Sequence, residues 1–308
     1  MWHERTTEAA RGRWRGILAS LGMPESFLTG KHGPCPICGE GTDRFRFDDK
    51  EGRGSWICTR CGAGDGMALA MRFTGLGFAD AASKIDEIIR NVKPTISAPK
   101  REMTDAERTG ALRALWAETK PAAEGDLLHA YLASRGIDVD VPDDLRFAPK
   151  VRDGDGGVRP AMVAMVRDGA GKPVTLHRTF LRPDGSGKAE MRSPRKLMPG
   201  SVPEGSAVRL GHARDELGIA EGIETALAAS MLFEMPVWST VSTALMASWS
   251  PPAGVSKVII FADVDTAYGG QAAAYTLAHR ITSKVEVVVK LPKAPGDWND
   301  VAQGRIAA

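Results

Sequence analysis

The stretch KVIIFADVDTAYGGQAAAY, residues 257–275, decides the fold of the C-terminal third of this chain. Val258 to Ala262 is an unbroken apolar run, short enough for a strand buried on both faces. It stops at Asp263-Val264-Asp265. The Gly269-Gly270 pair and the Ala-rich segment after it read as the start of a helix. Two carboxylates one residue apart repel each other, and burial makes both harder to ionise. Placing them at the end of a buried strand makes physical sense when a cation sits there.

The same rhythm recurs outward from this stretch. ELGIA (216–220) is a short apolar strand that runs into Glu221-Gly222, and IETALAASMLF is helical. PVWSTV reads as a strand, STALMASW and GGQAAAYTLAHRIT as helices, and KVEVVVKL as a strand. Strands alternating with helices imply a parallel sheet with right-handed crossovers. Sites in such sheets gather beyond the carboxyl ends of the strands. Glu221, Asp263 and Asp265 lie there, and APGDWND (294–300) adds Asp297 and Asp300. Hard oxygen ligands from distant segments suit Mg²⁺ or Mn²⁺, completed by water and phosphate oxygens. A phosphatase with an aspartate nucleophile also has D-x-D after a strand, but 43 residues after Asp265 are too few for the rest of it. A sugar-nucleotide transferase has no use for the upstream Glu-Gly. The bland alternative is that D-V-D caps a helix.

AEGIETALA (220–228), FADVDTAYGGQAAA (261–274) and GDWND (296–300) resemble successive motifs of the Toprim domain, shared by bacterial-type primases, topoisomerases and some nucleases. The resemblance implies that Glu221 is a general base near a 3′-hydroxyl. It makes Asp263 and Asp265 ligands of a catalytic Mg²⁺ or Mn²⁺, and Asp297 a further ligand or a residue just behind the ligands. Val264 and Tyr268 depart from the smaller or polar residues of relatives.

The chain has four cysteines, Cys35, Cys38, Cys58 and Cys61, spaced C-x2-C, nineteen residues, C-x2-C. Two such knuckles bring four thiolates to one tetrahedral Zn²⁺. Two disulfides are the alternative, disfavoured in a reducing compartment. Between the knuckles, RFRF alternates as a strand, DDKEGRG turns and SWICT returns. Phe45 and Phe47 share one face and pack the ribbon, so Arg44 and Arg46 point outward. With Arg53 and Trp56 they suit single-stranded nucleic acid, whose phosphates meet cations and whose bases stack on rings. HGPCPICGEGTDRFRFDDKEGRGSWICTRCGAGDG (32–66) resembles the zinc ribbon of primases from phages and mobile elements.

Between the two motif regions the charge is uneven. Leu145 to Leu210 holds thirteen Lys/Arg against six Asp/Glu, in a chain whose net charge is only +2. Such a segment is either a solvated surface or a phosphate-binding one. His177, Arg178, Lys188, Arg195 and Lys196 are its candidate contacts to template and nucleotide. AMVAMV and VTLHRTFL read as its strands. A helix is expected over Thr7–Leu21, and others over Asp105–Thr119 and Leu127–Arg135. NVKPTISAPKREMT breaks the periodicity as a linker would.

The expected architecture is therefore α/β. A helix and zinc ribbon (1–90) lead through a linker (91–104) to a helical and basic, mixed α+β subdomain (105–212) and a Toprim domain (213–308). No apolar run approaches a membrane span and the N-terminus lacks a signal peptide's apolar core, so a cytoplasmic protein is expected. The order resembles that of a primase: an enzyme making short RNA primers from NTPs on single-stranded DNA. No G-x-x-x-x-G-K-S/T occurs, so a replicative helicase would be a separate partner. A metal-dependent Toprim nuclease and a non-catalytic DNA-binding adaptor are the alternatives.

Overall fold

The computed structural model describes residues 2–93 and 103–308. It forms two compact units, one ending at Met103 and one beginning at Thr104. The expected linker lies outside the described residues except at its ends.

The first unit opens with α1 (Trp2–Ala10) and α2 (Trp14–Ser20), not with one helix over Thr7–Leu21. Gly12 takes φ +74°, a left-handed conformation that ends a helix, and its N–H bonds to Gly52 O at 2.8 Å. The ribbon sheet is β1 (Phe45–Phe47), β2 (Trp56–Cys58) and β3 (Gly62–Gly64), all antiparallel. Sequence reading missed β3, because Gly-Ala-Gly has no side chains to show alternation. Then come α3 (Gly66–Thr74) and α4 (Phe78–Ile89). The core joins Trp14, Ile17 and Leu18 to Phe45, Phe47, Trp56, Leu69 and Ile85. A Cβ at Gly66 would lie 2.0 Å from Trp14 Cδ2, so only glycine lets α3 start against that indole.

The second unit begins with α5 (Asp105–Glu118), β4 (Lys120–Pro121) and α6 (Leu127–Ser134). The basic segment then forms β5 (Leu145–Arg152), β6 (Val158–Arg167), β7 (Pro173–Phe180), β8 (Arg195–Leu197) and β9 (Ala207–Val208). β5 was not foreseen, since Pro149 sits inside it; the register with β6 shifts between Ala148 and Val151 to accommodate it. The remainder alternates as expected: β10 (Glu216–Ala220), α7 (Ile223–Phe233), β11 (Val237–Ser239), α8 (Thr243–Ser248), β12 (Lys257–Phe261), α9 (Gly269–Ile281) and β13 (Glu286–Lys290), followed by a short helix not foreseen, α10 (Trp298–Ala302).

One sheet carries the second unit, in the order β13-β12-β10-β11-β9-β6-β5-β4, with β7 paired to β6 and β8 to β7. β13, β12, β10 and β11 run parallel, and β9 joins them antiparallel to the basic strands. Ala220 pairs with Phe261, so the chain leaves β10 and β12 side by side at Glu221 and Asp263. No helix among the described residues is long and apolar enough to cross a membrane.

Candidate functional site

In the first unit the ligand atoms of all four cysteines lie within 4.8 Å of one another, and all four are free thiols. Cys35 Sγ and Cys61 Sγ are 3.8 Å apart, which is the edge of a tetrahedron with metal–sulfur bonds of about 2.3 Å. The Ile37 and Cys61 N–H groups donate to Cys35 Sγ and Cys58 Sγ, each at 3.4 Å, as suits sulfurs carrying negative charge. The donor set fits structural zinc.

The ribbon's outer face is partly neutralised. Arg46 makes a two-pronged bond to Asp48 at 2.5 and 3.0 Å, and its Nη1 lies 3.1 Å from His32 Nε2. Arg44 reaches Glu40 and Arg53 reaches Glu51, each at 3.5 Å. Trp56 is a correction. It is buried, stacked on Phe45 with ring centroids 6.0 Å apart, and donates Nε1–H to Asp65 O at 3.0 Å. On β2 it pairs with Phe47 and faces the core, so no ring face is left for a base.

In the second unit, three devices assemble the carboxylates. Adjacent strands deliver Glu221 and Asp263. A bridge between Val264 and Gly296, with 2.9 Å bonds in both directions, brings the chain before Asp297 alongside D-V-D. Trp298 then packs edge-on against Phe261 and Phe233, and Asn299 Nδ2 donates to Arg135 O at 2.7 Å. The D-W-N sequence is thus an anchor as much as a source of ligands. A Cβ at Gly270 would meet Asp263 O at 2.9 Å, so glycine permits α9 to start close behind Asp263.

The four carboxylates differ in their bonding. Asp263 is enclosed, and its Oδ1 is buried without a hydrogen-bond partner. Burial, then Glu221 and Asp297 nearby, push its carboxyl up to about 7. Burial also raises Glu221; the Arg195 guanidinium opposes this and Asp265 adds to it. Asp265 accepts N–H bonds from Ala267, Gly269 and Gly270 at 2.8, 3.2 and 2.9 Å. The helix-cap reading therefore holds for Asp265 in part, although a carboxylate has about four acceptor positions. Asp297 accepts the Asp300 N–H at 2.9 Å as N-cap of α10, and Asp300 is paired with Arg305 at 3.1 Å. A buried carboxylate oxygen without a donor, on a residue whose carboxyl is pushed up by burial and by neighbouring carboxylates, fits a divalent cation.

Strand alternation splits the basic candidates. Thr179 pairs with Arg195 and His177 with Leu197 on one face, whereas Arg178 pairs with Lys196 on the other. Arg178 donates to Arg152 O and Leu197 O, and Lys196 to Asp153 O and Asp155. Arg178 thus binds the backbone of β5 and β8, and Lys196 the loop after β5. His177 is a further correction: it is buried, and burial lowers it to about 4, so it is a neutral, enclosed ring and not a phosphate ligand. Lys188 sits 3.0 Å from Glu224. Arg195 is exposed, and its charge reaches both Glu221 and Asp263. Glu224 and Tyr131 were missed, although a glutamate inside the apolar IETALAASMLF was a signal.

Residues 216–308 match the model of the Toprim domain, residues 30–67 that of the zinc-binding domain of primase-helicase, and residues 106–210 that of a domain of unknown function, DUF7146. Among solved structures the chain is similar to the zinc-binding and RNA polymerase domains of the Aquifex aeolicus primase, at 16% identity and TM-score 0.44, covering 97% of this chain and 82% of that one. It is also similar to the primase fragment of the bacteriophage T7 primase-helicase, at 16% identity and TM-score 0.40, covering 89% and 95%. A DNA primase domain from Pseudomonas aeruginosa matches at 15% identity and TM-score 0.42, covering 64% and 74%. The chain carries a Toprim domain at residues 216–308 and, ahead of it, a zinc-binding domain of the primase-helicase type at residues 30–67.

Proposed function

We propose that this protein is a DNA-dependent RNA primase, joining ribonucleotides on a single-stranded DNA template. The observation that carries the chemistry is the buried, unpartnered Oδ1 of Asp263 between Glu221 and Asp297. The zinc-binding domain on the same chain favours synthesis over cleavage. Asp263 and Asp265 would hold Mg²⁺ or Mn²⁺, with Asp297 as a further ligand or just behind them. Bound there, the metal would supply positive charge to offset the negative charge of a triphosphate. Glu221, raised by burial, takes the proton from the 3′-hydroxyl, whose oxygen attacks the α-phosphate of the incoming nucleotide as the bond to pyrophosphate breaks. Arg195 offers a cation beside these carboxylates for a phosphate. Arg44, Arg46 and Arg53 of the ribbon are offered to the template backbone. The domain boundaries are proposed as 1–90, 91–104, 105–212 and 213–308, with a replicative helicase as a separate partner.

The test is one incubation of the protein with single-stranded DNA, four NTPs and Mg²⁺. New short RNA, lost on chelation, supports the reading. Shortened DNA means a nuclease, and DNA retained without chemistry means an adaptor. Either of these overturns it.

A further inference from the structure

Glu224 is the least expected charge in the second unit. It lies in the first turn of α7, three residues after Glu221, and only 4% of it is exposed. Around it on α7, Ile223, Ala226, Leu227 and Ala228 are apolar core residues. A carboxylate in such a place is retained only if it is paired on several sides. Two groups from distant segments do this. The Tyr131 hydroxyl of α6 donates to Glu224 Oε1 at 2.5 Å, across 93 residues of sequence. Lys188 Nζ, from the loop between β7 and β8, lies 3.0 Å from the same oxygen.

The electrostatics agree with the geometry. Burial alone would raise the Glu224 carboxyl, but Lys188 and the Tyr131 hydroxyl outweigh it and hold it at about 2. Tyr131 is pushed far above its ordinary range by burial and by the Glu224 charge, so it stays a donor. The carboxylate is therefore a fixed anion at every physiological pH. Lys188 is anchored at one of its three N–H bonds, yet its side chain is 29% exposed. Its charge and that of Arg195 both reach His177, and Arg195 reaches Glu221 and Asp263. Glu224 lies in the first turn of α7, directly after the Glu221-Gly222 exit of β10, so the lysine it holds at 3.0 Å lies at the same end of the strand as Glu221, with its side chain partly exposed.

We propose that Glu224 is a positioning residue: locked by Tyr131, it holds the Lys188 ammonium beside the Glu221–Asp263 site, where Lys188 meets the triphosphate of the incoming nucleotide. A free lysine would sample many rotamers and lose that freedom on binding. A lysine already tied to a buried anion has given up most of it beforehand, and binding then costs less. The inference rests on the nucleotidyl-transfer reading, so its test includes a readout that does not need synthesis.

Three variants decide it: Glu224→Gln, Lys188→Met and the double variant. Each is measured for thermal midpoint, for binding of Mg²⁺–GTP without template, and for KM and kcat in primer synthesis. Lys188→Met leaves a buried anion with one partner fewer, so its midpoint falls. The double variant removes both charges and regains midpoint. Triphosphate binding should weaken roughly tenfold in both single variants, the scale of one charge-assisted bond. It should be no weaker in the double variant than in Lys188→Met, because Glu224 acts through Lys188. KM should rise more than kcat falls. If the double variant recovers nucleotide binding together with stability, the pair is only a brace and the inference fails. It fails equally if the wild-type protein binds no triphosphate, or if Glu224→Gln leaves KM unchanged. A wild-type protein that binds triphosphate through this pair yet makes no RNA would uphold the inference and sink primer synthesis.

Discussion

Asp263 and His177 are both enclosed, and enclosure shifts them in opposite directions towards the same end, a neutral side chain. For Asp263 neutrality conflicts with the proposed role, and a cation resolves the conflict. Asp263→Asn keeps the shape and removes the charge. Mg²⁺ binding should be lost and primer synthesis should fall by ~100-fold or more, several kcal/mol of transition-state stabilisation. The metal-free protein should melt higher, because one member of a repelling set is gone. Unchanged synthesis would make these carboxylates structural. For His177 the prediction is a pH effect. Its unfolded value is near 6.5 and its folded value about 4, so the unfolded chain binds the proton first as pH falls. Stability is full above pH 6.5 and declines towards pH 4, by about 3 kcal/mol in all. A melting series over that window should show the decline, and His177→Gln should flatten it. A slope that survives the substitution would assign the decline to other groups.

At the scale of elements, what the sequence showed and what it hid have physical causes. The parallel strands were legible because burial on both faces makes them continuous apolar runs. The cysteine knuckles were legible because a tetrahedral ion dictates spacing. Trp56 was misread because a hairpin strand three residues long shows its face only when paired: opposite Phe47, it points inward. Trp56→Ala should therefore destabilise the first unit by about 3–5 kcal/mol, the cost of emptying a large buried site. That loss is to be read from its unfolding curve. Neutralising Arg44, Arg46 and Arg53 should leave that curve in place. If they meet template phosphates, the log–log salt dependence of single-strand binding should flatten by about 0.7 per lost contact. An unaltered slope would move template binding off the ribbon. The basic residues were the least legible part. Charge counts do not tell which side of a strand a cation occupies, and alternation sent Arg178 and Lys196 away from His177 and Arg195. Glu224 escaped notice because its partners lie 36 and 93 positions away.

The molecule as a whole has separate hydrophobic cores in its two units, and this governs what zinc does. One Zn²⁺ per chain is expected by elemental analysis. Metal binding and folding of so small a ribbon are one process. A strong chelator, or Cys58→Ser, should therefore abolish the protease resistance of residues 30–67 and leave the melting transition of the Toprim-bearing unit in place. Loss of both transitions together would show that the cores are not independent. Disulfides found in place of zinc would overturn the metal centre itself.

The anchoring of Asp297 through Trp298 and Asn299 has a consequence for biosynthesis. As the chain leaves the ribosome, Glu221 and Asp263 emerge before the tryptophan that draws Asp297 beside them. The Asn299–Arg135 bond spans 164 positions, so α6 waits through most of the second unit's synthesis for that partner. Until Trp298 docks on Phe261, the carboxylate edge is incomplete. A ribosome stalled between Asp263 and Asp297 would hold a chain with both strands of the site made and Asp297 still to come.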